Sequence, residues 1–329
     1  MRITKVSFGG LMGVGAVLCA VLVAQQEPRV AIQPRALKSA PGETTSAPRP
    51  ASIRMNVDHV PVNVTVLTAK GVVVTGMEKD DFELFEDKVS QEILTLSTEE
   101  APLSIAMVFD ISASMGSKLA RARQAAAEFF RASNEGDEYS LITFGDAPKV
   151  AVSWTTHTAE IQSRMAFIGA KGRTALFDGI YMAMQQMKTA RNPRKAILIL
   201  SDGGDNNSRY QESDIRTAIR ETDVQIYGMG IHEAGGRAPT SEELAGPSLL
   251  GDLAQITGGR SFNVTNISEM PDIAAKIGVE LRLQYLLTYS PTNKEKDGKF
   301  RRLEVKVKQP RGMVQLKPYF RNGYYAPTQ

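Results

Sequence analysis

The sequence predicts an α/β chain: a doubly wound, mostly parallel sheet flanked by helices, with a small β module built from segments at both ends. Three observations carry this. From Leu103 onward, short apolar runs alternate with amphipathic stretches of helical period. Before that region Val60, Val62, Val64 and Val66 alternate strictly with other residues, the period of a half-buried strand. After residue 284 the period returns to two, as in Leu303, Val305 and Val307.

The first segment reads Met1-Arg2-Ile3-Thr4-Lys5, then an apolar run from Val6 to Ala24. A basic start, an apolar core and a Leu22-Val23-Ala24 end make residues 1–24 an expected secretory signal. The length of the run leaves uncleaved anchoring as the alternative. Leu18 stands before Cys19 where a lipoprotein would carry a small residue. On either reading the rest of the chain leaves the cytoplasm and is secreted, periplasmic or held at the envelope. Residues 25–54 carry Pro28, Pro34, Pro41, Pro48 and Pro50 among Ser, Thr and Ala, the composition of an extended linker.

Residues 55–100 are expected to form the small β module. Its strands are placed at Val60–Val66, from Val72 to Thr75 after a Lys70-Gly71 turn, and at Phe82–Glu86 and Glu92–Leu96 around Asp87-Lys88. Residues 101–283 form the α/β domain, with strands over 104–110, 138–144, 148–153, 195–201, 224–230 and 260–264. Helices are expected over 117–133, 158–168, 175–189, 211–221, 246–257 and 269–282. In the first, Leu119, Ala122, Ala126, Phe129 and Phe130 make one apolar stripe, and Arg121, Arg123 and Glu128 face out. Residues 284–329 hold three β stretches, starting at Tyr285, Leu303 and Val314, with Gly298 and Gly312 as turns between them. Their apolar faces are expected to pack with 55–100, having no other surface to bury them.

Composition narrows the function. The content is 42% hydrophobic and 23% charged, that of an ordinary globular protein. The formal charge of +3 falls to +1 if Arg2 and Lys5 leave with the leader, so nothing favours nucleic acid, and a membrane enters only if the leader stays uncleaved. Cys19 is the one cysteine and lies in the leader, which excludes a disulfide, a thiol nucleophile or a cysteine metal site in the mature chain.

The segment Asp110-Ile111-Ser112-Ala113-Ser114 follows the apolar run Ser104–Val108, so a carboxylate and two hydroxyls arrive where a buried strand ends. Oxygen donors alone suit a hard cation, Mg²⁺ first, better than zinc or copper; Mn²⁺ or Ca²⁺ are the alternatives. Thr174 closes the Gly-containing loop Lys171-Gly172-Arg173 before a helix, and a plain N-cap is its other reading. Asp202 ends the run Ile197–Ser201, and an Asp-Gly turn is its other reading. Ligands of open α/β sheets bind outside the carboxyl ends of strands, where all three stretches would lie. Two carboxylates neutralise a +2 ion, hydroxyls fill its shell without charge, and an open position could take an Asp or Glu from a partner protein.

At these residues the chain resembles the von Willebrand factor type A family, whose metal-ion-dependent adhesion site is Asp-x-Ser-x-Ser, then a Thr, then an Asp in separate loops. Asp110, Ser112, Ser114, Thr174 and Asp202 match every position. The resemblance implies that the serines and Thr174 are direct or near-direct ligands, that the aspartates act largely through water, and that the chain is a binding module and not an enzyme. The wider arrangement is similar to bacterial secreted VWFA-related proteins: a signal, the Asp81–Asp87 segment, the A domain and a Gly323-Tyr324-Tyr325 tail.

Other features are read more plainly. Asp205, Asn206 and Asn207 are taken as a solvated loop, and His59, His157 and His232 as surface residues. Trp154 is placed after a strand, and Lys299, Arg301, Arg302, Lys306 and Lys308 on the wet face of one. Three Asn-x-Ser/Thr segments, at Asn63, Asn263 and Asn266, are too common a pattern to use. Two other functions remain open: an envelope assembly protein in which the ion is structural, and a metal-dependent hydrolase. Against the latter, Ser112 occupies the place of the second Asp of a haloacid-dehalogenase-type phosphatase, and no Gly-x-Ser-x-Gly elbow occurs.

Overall fold

The computed structural model describes residues 59–98, 101–202, 204–231, 241–309 and 315–328. The expected leader and linker, Cys19, His232 and Gly312 lie outside the described residues. The described residues all fall in one compact unit.

Its larger layer is a six-stranded sheet. The strands are β5 (Leu103–Asp110), β6 (Glu138–Phe144), β7 (Pro148–Thr155), β8 (Arg194–Ser201), β9 (Gln225–Ile231) and β10 (Ser261–Val264), in the order β10-β9-β8-β5-β6-β7. All neighbours pair in parallel except β6 and β7. Every residue of β5, β6 and β9 is buried, because helices cover both faces and no position along such a strand meets water. Helices α1 (Leu119–Arg131), α2 (Thr158–Ala166) and α6 (Met270–Arg282) bury Phe129, Ile161 and Ile277 with Ile105, Met107 and Phe109 on one face. On the other face α3 (Leu176–Met187), α4 (Glu212–Arg220) and α5 (Ser241–Thr257) bury Ile180, Ile215 and Leu253 with Ala106 and Val108. The expected doubly wound sheet is the observed one.

The two ends of the chain build a β sandwich. One sheet runs β13-β1-β11-β4, from β1 (Val60–Thr68), β4 (Ile93–Ser97), β11 (Tyr285–Tyr289) and β13 (Leu316–Phe320). The other runs β14-β12-β2-β3, from β2 (Phe82–Glu86), β3 (Val89–Gln91), β12 (Phe300–Val307) and β14 (Gly323–Tyr325). Val60, Val62, Val64 and Val66 of β1 share one core with Leu84 of β2, Tyr285, Leu287 and Tyr289 of β11, and Leu303, Val305 and Val307 of β12.

Several local expectations are corrected. Val72–Thr75 is no strand; Val73 makes an isolated bridge to Leu67, and Val72 stands 61% exposed. Asp87 and Lys88 both take positive φ, 47° and 70°, and so form a tight hairpin turn between β2 and a further strand, β3. Arg301 lies on the buried face of β12, in phase with Leu303, and pairs with Asp297 at 2.8 Å. Trp154 sits inside β7, half-buried against the α3 side of the core, and donates to Gln186 O and Thr189 Oγ1. Arg123 is turned inward: its guanidinium donates to Met165 O and Ile168 O, carbonyls at the end of α2.

Candidate metal centre

The chain leaves β5 for α1 and β6 on one side, then returns through α3 to β8 on the other. Strand order therefore reverses between β5 and β8, and in open α/β sheets the crevice that takes ligands lies beyond the carboxyl ends of such strands. Asp110 is the last residue of β5, and Asp202 directly follows β8.

Asp110 is fully buried. Its Oδ1 accepts from Ser112 N at 2.8 Å and its Oδ2 from Ser201 Oγ at 2.6 Å. Burial, and then the charge of Asp202, push its carboxyl up to about 7 against those hydrogen bonds. The turn bonded to Asp110 brings the Ser112 and Ser114 hydroxyls within 3.0 Å of each other. Ser112 is buried and Ser114 partly so, and a short 3₁₀ turn, Ala113–Met115, carries the chain on toward α1.

Thr174 is held by backbone and side-chain bonds of its neighbours. Ala113 N donates to Gly172 O at 3.0 Å and Lys171 N to Ile111 O at 2.7 Å, which lays the Thr174 loop against the serine turn. Gly172 has φ +81°, which favours glycine, and a Cβ there would stand 2.6 Å from Asp146 Oδ2 and displace that carboxyl. Thr174 N donates to Asn206 Oδ1 at 3.0 Å, and Thr174 O accepts from Asn206 N and Asn207 N. Asp205 accepts from Phe177 N at the start of α3. Residues 205–207 are thus a bracket for this loop, and reading them as merely solvated is corrected. The N-cap reading of Thr174 also fails: Ala175 occupies the cap position, with no side-chain cap bond.

Asp202 is buried, and its Oδ2 takes a hydrogen bond from Lys118 Nζ at 3.0 Å. Lys118, the residue before α1, was not singled out from the sequence; an isolated lysine after a serine turn carries no signal of a partner 84 positions away.

The structure brings Asp110, Ser112 and Ser114 into direct contact, binds the Thr174 loop to their turn, and sets Asp202 where its charge acts on Asp110. Among the described residues no three His, Cys, Asp or Glu side chains cluster as metal ligands, so nitrogen- or sulfur-rich chemistry has no candidate there. The residues fit a hard divalent cation instead. Two buried acids that repel one another call for positive charge, and the neighbouring hydroxyls are neutral oxygen donors. His59 and His157 are exposed.

The model of the von Willebrand factor type A domain matches residues 105–204. An uncharacterized protein of Borreliella burgdorferi is 24% identical over 188 residues, 50% of this chain and 55% of that protein. A UPF0353 protein of Nocardia farcinica is 24% identical over 199 residues, covering 51% of this chain and 59% of its own length. The chain thus spans less than two thirds of these curated relatives. The solved structure of a von Willebrand factor type A protein from Catenulispora acidiphila superposes with a TM-score of 0.48 at 13% identity, over 80% of this chain and 73% of that one. The match runs from Ile105 in β5 to the loop after β8 and includes Asp110, Ser112, Ser114, Thr174 and Asp202, so over this stretch the chain is similar to a von Willebrand factor type A domain.

Proposed function

We propose that the chain is a divalent-cation-dependent protein-binding module, in which Mg²⁺ held by Asp110, Ser112, Ser114, Thr174 and Asp202 accepts a carboxylate from a partner protein. One observation carries the reading: two buried acids and the hydroxyls beside them meet at the strand-order switch, at the end of the sheet where α1 begins. The ion supplies an electrophilic centre. The protein's part is to hold the donors in place, with Ser112 N and Ser201 Oγ fixing the Asp110 carboxyl and Asn206 fixing the Thr174 backbone.

The chain around the domain completes the proposal. Residues 1–24 act as a secretory leader and 25–54 as a spacer, which places the domain outside the cytoplasm. The division at about 100 and 283 separates the A domain from the β sandwich. Among the described residues no helix is long and apolar enough to cross a membrane.

Calorimetric titration of the metal-free chain with Mg²⁺, on parent and Asp110→Ala, tests the site, and pull-downs from envelope or culture extract with and without EDTA test the partner. The expected result is a single binding event lost in Asp110→Ala, with a set of captured proteins released by EDTA. A chain that takes up no Mg²⁺, Mn²⁺ or Ca²⁺ overturns the metal reading. Capture insensitive to EDTA overturns the carboxylate reading, and an Asp110→Ala chain that no longer melts cooperatively points to a structural ion.

A further inference from the structure

Lys118 stands at the N-terminus of α1, where the helix macrodipole favours anions and a lysine is electrostatically misplaced. Its side chain makes no cap bond to the helix. It turns toward β8, and its Nζ lies 3.0 Å from Asp202 Oδ2, with the lysine side chain 13% exposed and the aspartate 3%. The Lys118 backbone is fixed at both ends, its N–H on Met115 O and its carbonyl on Ala122 N, at 2.9 Å each. Only the side-chain torsions are left to move the ammonium.

We propose that Lys118 is a resident counter-ion of the metal centre: its ammonium neutralises Asp202 while no divalent cation is bound, and must leave Asp202 for one to bind. Lys118 thereby sets the cation concentration at which the site fills. The inference rests on the divalent-cation reading above.

The charges give the reason. Asp110 and Asp202 are both buried, and removing a positive partner from a buried carboxylate is costly. One ammonium offsets one acid; a dication offsets both and adds coordination by the neighbouring hydroxyls. With the ammonium still on Asp202 the loaded pair would carry a surplus positive charge in a poorly solvated crevice, so the two cations compete for the same oxygen. The lysine stem is a flexible four-carbon chain close to the surface, so the displaced ammonium can reach water. Loading is then an exchange of one ammonium for one dication, and its midpoint includes the strength of the Lys118–Asp202 pair.

The test is Mn²⁺ titration of the full chain, followed by the electron paramagnetic resonance signal of free Mn²⁺, with melting curves in EDTA and at saturating Mn²⁺. The variants are Lys118→Met, which keeps the stem and removes the charge, Lys118→Gln as a second neutral side chain, and Lys118→Arg, which keeps the charge. The neutral variants should bind Mn²⁺ about tenfold tighter or more, since a close positive charge has been removed, and Lys118→Arg should stay near the parent. In EDTA the neutral variants should melt lower by about 2–4 °C, a deficit that saturating Mn²⁺ removes. Neutral variants that bind Mn²⁺ no tighter than a binding-competent parent overturn the inference and leave the metal reading standing. So does an undiminished melting point in EDTA. If parent and variants all leave Mn²⁺ free, the metal reading itself falls and this inference falls with it.

Discussion

The Tyr324 hydroxyl donates to Glu86 Oε2 at 2.8 Å, joining β14 to β2 across 238 positions. Tyr289 donates to the same oxygen, so a fully enclosed carboxylate in the sandwich core is held by two phenols from the C-terminal segment. Burial first, and then the hydrogen bonds to Glu86, push both phenols above their usual range, so they remain donors through neutral pH. Tyr324→Phe removes one donor to a buried acid and should cost about 1–3 kcal/mol. Urea unfolding monitored in the β sandwich measures it. A chain ending at 283 loses β11, β12, β13 and β14, and with them both partners of β1 and one of the two partners of β2. Its 59–98 segment should exchange amide hydrogens as an unfolded chain, and protected amides there would refute this account of the sandwich.

Gly172→Ala should disturb the candidate site without touching a donor. The added methyl meets the Asp146 carboxyl, and the positive φ costs an L-residue about 1–2 kcal/mol before any clash is relieved. Because Gly172 O receives Ala113 N, the strain passes to the serine turn. The expected outcome is a lowered melting point together with weaker Mg²⁺ binding by calorimetry, whereas Gly169→Ala, with open space around its Cβ, should change neither.

Arg123 ties α1 to the end of α2, and the chain then runs from Ile168 directly to Thr174. Arg123→Met keeps most of the apolar stem and loses both carbonyl contacts. Amide exchange over 166–173 should accelerate while the protection of β5 and β8 stays as it was. Uniform acceleration would mean that Arg123 supports the whole domain.

Glu138 should contribute to the acid sensitivity of the fold. This buried carboxylate accepts from Ser104 Oγ at 2.6 Å, Arg191 N at 2.6 Å and Arg191 Nε at 2.9 Å. Burial alone would raise its pKa, but these bonds and the Arg191 charge outweigh it and hold it below the ordinary 4.5. A depressed folded value means that the stabilisation is complete above 4.5 and drains as pH falls through the lower, folded value. Glu138→Gln should therefore flatten the fall of the urea midpoint between about pH 5 and pH 3, where the parent declines more steeply.

The fold was legible because its signals are local. The buried strands β5 and β8 announce themselves as unbroken apolar runs, and α1 by the spacing of Leu119, Ala122, Phe129 and Phe130. Where phase decides the outcome, composition misled. Arg301 is basic, but it sits two residues before Leu303 on the same strand face and so goes inside to meet Asp297. Val72–Thr75 has strand residues but finds only the bridge at Leu67, and a strand without a neighbour has no ladder. The acid, hydroxyl and threonine positions of the candidate site were legible as a spaced pattern. Lys118, Asn206 and Arg123 were not, because each acts on a residue distant in sequence and nothing near it in the chain marks the partner.

By itself the sequence determined the alternation of strand and helix and the spacing of the oxygen-bearing residues of the candidate site, since these follow from residue type and period. Tertiary structure alone decided the strand order within the two sandwich sheets, that Asp110 is enclosed beside a second acid, and that Lys118 reaches Asp202. Strand pairing and burial depend on which distant surfaces meet, and the charge state of a carboxylate depends on the solvent and ions that meeting leaves around it.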